Sequence, residues 1–274
     1  MQYDALGSRI KRQYEQRCRH FLPRRSYIVI RVDGRAFHEF TRDCARPFDW
    51  DLIGDMNAVG LALCGAISGT QLAFIQSDEV SVLVTDFRSL HSEAWFDNNQ
   101  SKIESITASI ATAAFNRSRF RRLAACSGVE ALEREAWAEF DSRAFLVPDV
   151  NEVANVFVWR QQDAVRNSIQ MVAHAHFSHA ELEGKSTDAL QEMLWQTHGI
   201  NWNDYDPSLK RGRFVERQTR IGAVEYVDKR TGQPARAEGV ERHEWVIVTR
   251  PTFTRDRAWL MGRIPRVDAE WGEG

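Results

Sequence analysis

Two short apolar runs, Gln71 to Ile75 and Val80 to Val84, are separated only by Gln76-Ser77-Asp78-Glu79, and this spacing constrains the chain more than any other feature. So short a connection between two strand-length segments predicts a β-hairpin with acidic residues at its tip. An earlier run, Tyr27-Ile28-Val29-Ile30-Arg31-Val32, is rich in β-branched residues and ends at Asp33-Gly34, so it reads as a buried strand followed by a tight turn. Between that strand and the hairpin, Asp51 to Ser68 carries Leu52, Met56, Val59 and Leu63 at helical spacing. After the hairpin, Lys102 to Asn116 repeats Ile103, Ile106, Ile110 and Ala113 in the same way, and Arg143 to Val147, before Pro148, is another short strand. Strand, helix, strand, strand, helix, strand is the split βαββαβ order, which predicts an α+β fold: an antiparallel sheet with helices on one face.

Around this unit, a polar amphipathic helix is expected from about Asp4 to His20. Beyond Asn151 the chain reads as mainly helical, over Asn151 to Phe177 and Thr187 to Thr197, with a last strand-like run at Glu244 to Val248. The expected division is a sheet domain over 1–150 and a mainly helical extension over 151–274 packed on it, the two forming one continuous structural unit. With 274 residues, 43% of them hydrophobic and 27% charged, a core of this size needs neither disulfides nor metals to hold it. The four cysteines (Cys18, Cys44, Cys64, Cys126) are far apart and form no CxxC pair, which points to a reducing compartment, and a cytoplasmic location is expected. Met1 to Ile10 does not read as a secretory leader, and the longest apolar stretch, Ala58 to Ile67, falls far short of the ~20 residues needed to span a bilayer. No membrane association is expected.

A net charge of −2 excludes a histone-like basic protein and a polyacidic tail, but not a local basic groove. Of the 36 cationic residues 31 are arginine, whose rigid fork suits phosphate; a GC-rich genome accounts for the same skew. Arg117-Ser118-Arg119-Phe120-Arg121-Arg122 and Lys210-Arg211-Gly212-Arg213 are candidate RNA contacts. Asp33 and Asp78 lie at the ends of neighbouring strands in the expected sheet, so both reach one pocket. Two divalent metal ions held there would activate an attacking oxygen and stabilise a leaving phosphate oxygen, and Mg²⁺ favours such carboxylate and phosphate ligands. Asp-Gly and Ser-Asp-Glu are equally good turn chemistry, so spacing alone leaves both readings open. The turn Asp33-Gly34-Arg35-Ala36-Phe37-His38 offers backbone N–H groups to a triphosphate, with Arg31 and Arg35 adding charge, and Lys102 stands near a helix start. Gly184-Lys185-Ser186 lacks the earlier glycine of a P-loop, since position 179 is His179. His174, His176 and His179 are not spaced for one helical face, and no Gly-x-Ser-x-Gly elbow occurs.

Taken together, the motifs resemble the tRNA-His guanylyltransferase superfamily, and within it the guanylyltransferase-like branch of bacteria and archaea. The matching segments are Ile30 to His38, Ala45-Arg46-Pro47-Phe48-Asp49, Gln76 to Glu79, Trp95-Phe96 followed by Lys102, Trp159-Arg160-Gln161-Gln162-Asp163 and Arg166-Asn167-Ser168, in family order over roughly residues 5 to 215. The resemblance implies a palm-like catalytic domain and a Mg²⁺-dependent reaction in which nucleotides are added to the 5′ end of a tRNA, in the 3′-to-5′ direction. It implies two Mg²⁺ ions on Asp33, Asp78 and the Gly34 carbonyl, with Glu79 as a neighbouring acid. It also implies a triphosphate cradled from Gly34 through Arg35, Ala36 and Phe37 to His38, with Ser77 and Lys102 assisting and Ala45, Arg46 and Asp49 near the activating ATP or GTP. Arg31, Arg160, Asp163, Asn167, Lys185 and Ser186 are further candidates for the RNA 5′ end or its activation, and a homotetramer is expected. Members that add G-1 to tRNA-His carry His-Ile-Asn-Asn where this chain reads Val165-Arg166-Asn167-Ser168, which favours repair of 5′-truncated tRNA over G-1 addition. Asn99 stands where an arginine is common among relatives. A palm-fold RNA-binding protein without catalysis is the alternative from another class.

Overall fold

A computed structural model describes residues 4–266 apart from 90, 129, 131–135 and 251. The helices are α1 (Ala5–Gln13), α2 (Phe37–Phe40), α3 (Trp50–Ala66), α4 (Gln100–Ser127), α5 (Val150–His176), α6 (His179–Leu182), α7 (Thr187–His198), α8 (Pro207–Arg211) and α9 (Arg257–Met261). The strands are β1 (Tyr27–Gly34), β2 (Thr70–Gln76), β3 (Glu79–Val84), β4 (Phe140–Val147), β5 (Arg213–Val227) and β6 (Pro234–Val248). They form one sheet in the order β4-β1-β3-β2-β5-β6, every neighbouring pair antiparallel. The first four strands with α3 and α4 are the expected split βαββαβ unit, an α+β fold.

β1 is apolar without alternation because both of its faces are covered. Ile28, Ile30 and Val32 point into a core with Ala73, Ile75 and Val82 beneath α3 and α4. Tyr27 and Val29 point the other way, with Leu72, Phe74 and Leu83, and α5 closes that side through Val153, Ala154 and Phe157. The palm helices thus share one face, and the chain after residue 150 supplies the cover of the other. Each long helix begins on a polar cap that satisfies its first amides: Asp49 for α3, Asn99 for α4 and Asp149 for α5. A third cluster, including Ile169, Val172, Leu182, Leu190, Leu194 and Trp202, joins the end of α5 to α6, α7 and the segment that follows α7.

Three features differ from the expectation. α1 ends at Gln13 and gives way to a short 3-10 turn, Glu15–Cys18, instead of running on to His20. α4 continues to Ser127, well beyond Asn116. The chain after 150 is also not only helical: β5 and β6, 15 residues each, extend the sheet, and β5 lies where no strand is read from the sequence. Only residues 213–216 of β5 pair with β2; beyond them it pairs with β6 alone, and its residues from Arg217 onward are largely solvated. With both faces wet, no alternation of apolar and polar residues is required there.

Candidate active site

Asp33 and Gly34 are the last residues of β1 rather than a separate turn, and Asp33 is the cross-strand neighbour of Glu79 on β3 and Asp141 on β4. The Gly34 amide donates to the Asp78 carbonyl at 3.1 Å, which fastens the hairpin tip to the end of β1, and Ser77 takes a φ of 45° to make the reversal. Asp33 and Asp78, 45 positions apart in sequence, therefore stand side by side. Burial raises the pKa of Asp33 to about 6, with the charges of Asp78, Glu79 and Asp141 adding to the shift and Arg143 opposing it. Burial also raises the pKa of Asp78, against hydrogen bonds from Ser77 and from its own amide.

These donors suit magnesium. The Asp33 and Asp78 carboxylates and the Gly34 carbonyl are hard oxygen ligands, and a cation there relieves the crowding of like charge that Asp33 experiences. Among the described residues no group of three or more His, Cys, Asp or Glu side chains is placed to hold a metal. A site with so few protein ligands fits an ion that draws its remaining ligands from phosphate and water.

Glu79 faces a different set of partners. It is 6% exposed, and Arg160 grips both its oxygens, Nε to Oε1 at 2.8 Å and Nη2 to Oε2 at 2.6 Å. Ser81 donates to Oε1 at 3.0 Å, and Arg31 approaches the same oxygen at 3.4 Å. With its oxygens so occupied, Glu79 anchors cations behind the site, while Arg160 is shared between Glu79 and Asp163. Asp163 also pairs with Arg166.

The segment after Gly34 turns on an aromatic anchor. Phe37 is buried among Phe40, Phe115 and Phe140, and a Cβ on Gly34 would lie 2.2 Å from its ring. Ala36, at a φ of 52°, starts α2, so the amides of residues 36–38 open a helical turn and have no carbonyl of their own helix to bond. Arg35 is turned aside: its guanidinium binds Glu139 at 2.5 Å. Asp49 closes the opposite wall, accepting from the amides of Ala45, Asp51 and Leu52. Burial works against its charge, but those three donors and Arg122 hold its pKa below the usual carboxylate value.

One cavity of about 670 Å³ joins these walls, lined by Gly34, Ala36, Phe37, His38, Ala45, Arg46, Asp49, Ser77, Asp78 and Asn167 among others. Gln170, Met171 and His174 of α5 line it as well, together with Thr41 and Cys44; the sequence assigns none of them to this site, His174 being weighed only with His176 and His179 for a metal. The signal for the α5 residues is their spacing from Asn167, since offsets of three, four and seven lie on one helical face.

Other candidates lie elsewhere. Lys102 is exposed on α4, over the Phe96 ring at 4.5 Å, and borders a separate groove with Phe21 and Asp97. Ser186 caps α7, with Lys185 exposed beside it. The two basic clusters are not continuous RNA surfaces. Arg122 is tied to Asp51 and Asp55, and Arg119 packs over Phe40, while Arg117 and Arg121 stay exposed. Lys210 is buried over Trp202 and donates to the Asn203 carbonyl; Arg213 is buried and donates to Asn57 at 2.7 Å. Both are drawn inward because α8 turns directly into a central strand. The histidines form two separate ring pairs, His174 with His179 and His176 with His198.

Paired carboxylates on adjacent strand ends of an antiparallel sheet, beside a cavity walled by free amides, define a palm-type nucleotidyltransferase. A family model described as Thg1, tRNAHis guanylyltransferase, matches residues 8–148. A bacterial tRNA(His) guanylyltransferase (Thg1)-like protein solved in complex with ATP is 35% identical, over 94% of this chain and 99% of that one, with a TM-score of 0.78. The corresponding complex with GTP gives 36% identity, 95% and 99% coverage, and a TM-score of 0.73. The tRNA(His) guanylyltransferase of Schizosaccharomyces pombe is 29% identical over 222 residues, 76% of this chain and 78% of that one. The chain belongs to the tRNAHis guanylyltransferase family, and it is an enzyme, a nucleotidyltransferase.

Proposed function

We propose that this protein adds nucleotides to the 5′ end of a tRNA in the 3′-to-5′ direction, using ATP or GTP to activate a 5′-monophosphate. The observation that carries the reading is the single cavity in which the end of β1, the hairpin tip, the amides of residues 36–38 and the Ala45–Asp49 wall converge. A solved relative holds ATP in one structure and GTP in another. Asp33 and Asp78 would hold Mg²⁺, whose charge neutralises phosphate oxygens and lowers the pKa of the attacking hydroxyl. The chain's own part is positioning: the 36–38 amides orient a triphosphate, and Asp49 fixes the wall that faces the activating nucleotide.

In the first step the 5′-phosphate oxygen attacks the α-phosphorus of the activating nucleotide, forming a 5′–5′ linkage and releasing pyrophosphate. In the second the 3′-hydroxyl of an incoming NTP attacks the RNA's 5′ phosphorus, loses its proton and displaces AMP or GMP. A 5′-triphosphate end is attacked directly, with pyrophosphate as the leaving group. Val165-Arg166-Asn167-Ser168 favours 5′-truncated tRNAs as substrate, whereas the names of the curated relatives favour G-1 addition to tRNA-His. A homotetramer in the cytoplasm belongs to the same reading, and the four unpaired cysteines suit a reducing compartment. No described helix is long and apolar enough to cross a membrane.

The test is a 5′-extension assay with ATP, Mg²⁺ and labelled NTPs on monophosphorylated, 5′-truncated tRNAs and on tRNA-His. Extension of the truncated set supports repair, and extension of tRNA-His alone supports G-1 addition. No extension of either, or extension that survives Asp33→Ala and Asp78→Ala in folded protein, overturns the mechanism.

A further inference from the structure

Beside Asp33, on the α5 side of the sheet, three buried charged groups lie under one aromatic ring. Glu79 holds the Arg160 and Arg31 side chains through the same oxygen, so the two guanidinium groups lie next to each other. The Trp159 ring covers both, with Arg160 Cζ 4.5 Å and Arg31 Cζ 5.0 Å from its centroid. Arg31 is 9% exposed, its Nη2 has no hydrogen-bond partner, and the Phe145 ring, 5.8 Å from its Cζ, covers it together with the indole. Trp159 itself is 50% exposed. The ring thus rests by cation–π contact on two anchored cations, while half of the residue stays open to solvent.

The exposed part lies close to the reaction centre. Arg31 and Asp33 are two residues apart on one face of β1, about 7 Å along the strand. Arg143, opposite Arg31 on β4, comes within 3.8 Å of Asp33 and is 55% exposed. Arg166 lies seven residues after Trp159 on the same flank of α5 and is 53% exposed. A rigid aromatic surface flanked by exposed arginines has the form of sites that stack an unpaired or terminal base and hold its phosphates.

We propose that Trp159 is the stacking platform for a nucleobase, the base at the 5′ end of the RNA, with Arg143 and Arg166 beside its phosphates. This rests on the RNA-end chemistry proposed above. It places the RNA end on the opposite flank of Asp33 from the nucleotide cavity, so that the two reactants approach the carboxylates from different sides. Cation–π cover of Arg31 and Arg160 also calls for an aromatic ring, so the response of the bound base itself is what separates stacking from cover.

The experiment uses an acceptor-stem RNA with 2-aminopurine as its first nucleotide, read by fluorescence, alongside ATP and GTP binding measured without RNA. Wild-type protein is expected to quench the probe. Trp159→Leu should abolish the quench and weaken RNA binding roughly five- to hundredfold, the range reported for loss of one base–aromatic stack. Trp159→Phe should restore both, and ATP and GTP affinities should stay unchanged in all three proteins. A Trp159→Leu protein that binds and quenches like wild type overturns the platform. Weakened ATP or GTP binding with unchanged RNA binding overturns it too, because the stacked base would then belong to a free nucleotide. Should Trp159→Leu fail to fold, the wild-type probe decides: bound RNA whose 2-aminopurine is unquenched rules the platform out. Extension activity keeps the two proposals apart, since a wild-type protein that extends no tRNA defeats the functional reading, whereas extension with an unaltered KM for RNA in Trp159→Leu defeats only the platform.

Discussion

Asp33, the metal ligand proposed above, stands at a cost to the fold. Its pKa of about 6 lies above the usual carboxylate value, first because it is buried and then because Asp78, Glu79 and Asp141 surround it. Between about pH 4 and 6 the folded protein therefore holds more protons at this group than the unfolded chain does. Stability from this group falls as pH rises through that window and stays lower above it. In metal-free protein at pH 7.5, Asp33→Asn is expected to raise Tm while removing transferase activity, and the gain in Tm should shrink as the pH approaches 4. Thermal melts in chelator at the two pH values check this; a variant less stable than wild type at pH 7.5 would show that attraction to Arg143 outweighs burial and the neighbouring carboxylates. The residues around it also show how far the sequence could be read. Asp33 and Asp78 are legible because strand ends place them, whereas the ties of Glu79 to Arg160 and Arg31 are not, since those partners come from separate elements.

At the scale of elements, the segment proposed to face phosphate depends on one contact between β1 and α2. The ring of Phe37 lies where a Gly34 side chain would be, with the ideal Cβ 2.2 Å from Cδ2 and 2.6 Å from Cγ. The ring has little room to retreat, because Phe40, Phe115 and Phe140 surround it with centroids 5.1–5.5 Å away. Gly34→Ala should therefore displace the 36–38 amides, weakening ATP and GTP binding and lowering stability by about 1–3 kcal/mol, the range for overpacking a core. Calorimetric titration and denaturant unfolding check the two effects, and a variant with wild-type nucleotide affinity would show that the segment adjusts. Sequence signals locate the elements themselves well where burial is one-sided or complete, as in β1, β2, β3 and α3. They fall short for the later part of α4, where Arg117 and Arg121 are solvated while Arg119 and Arg122 turn onto Phe40 and Asp51.

For the whole molecule, the sheet divides into a part that is packed and a part that projects. β1–β4 and the first residues of β5 carry the two cores and the site, whereas from Arg217 to Val227 β5 pairs only with β6, with Ile221 74% exposed. This explains why the palm is legible in the sequence and the long ribbon is not: burial writes a pattern into the palm strands, and a ribbon wet on both faces leaves none. A two-stranded ribbon contributes little stability of its own, and the strands return to the core at Trp245 and Ile247, which pack against the α3–α4 side. Replacing residues 220–242 by an Asn-Gly turn between the paired positions Thr219 and His243 should therefore leave the palm folded, with Tm within about 5 °C of wild type and ATP and GTP affinities unchanged. Thermal unfolding and nucleotide titration of the shortened chain decide it. A large fall in Tm would mean that the ribbon is part of the folding unit, whereas an intact palm would assign any accompanying change in tRNA affinity or oligomeric state to the ribbon itself.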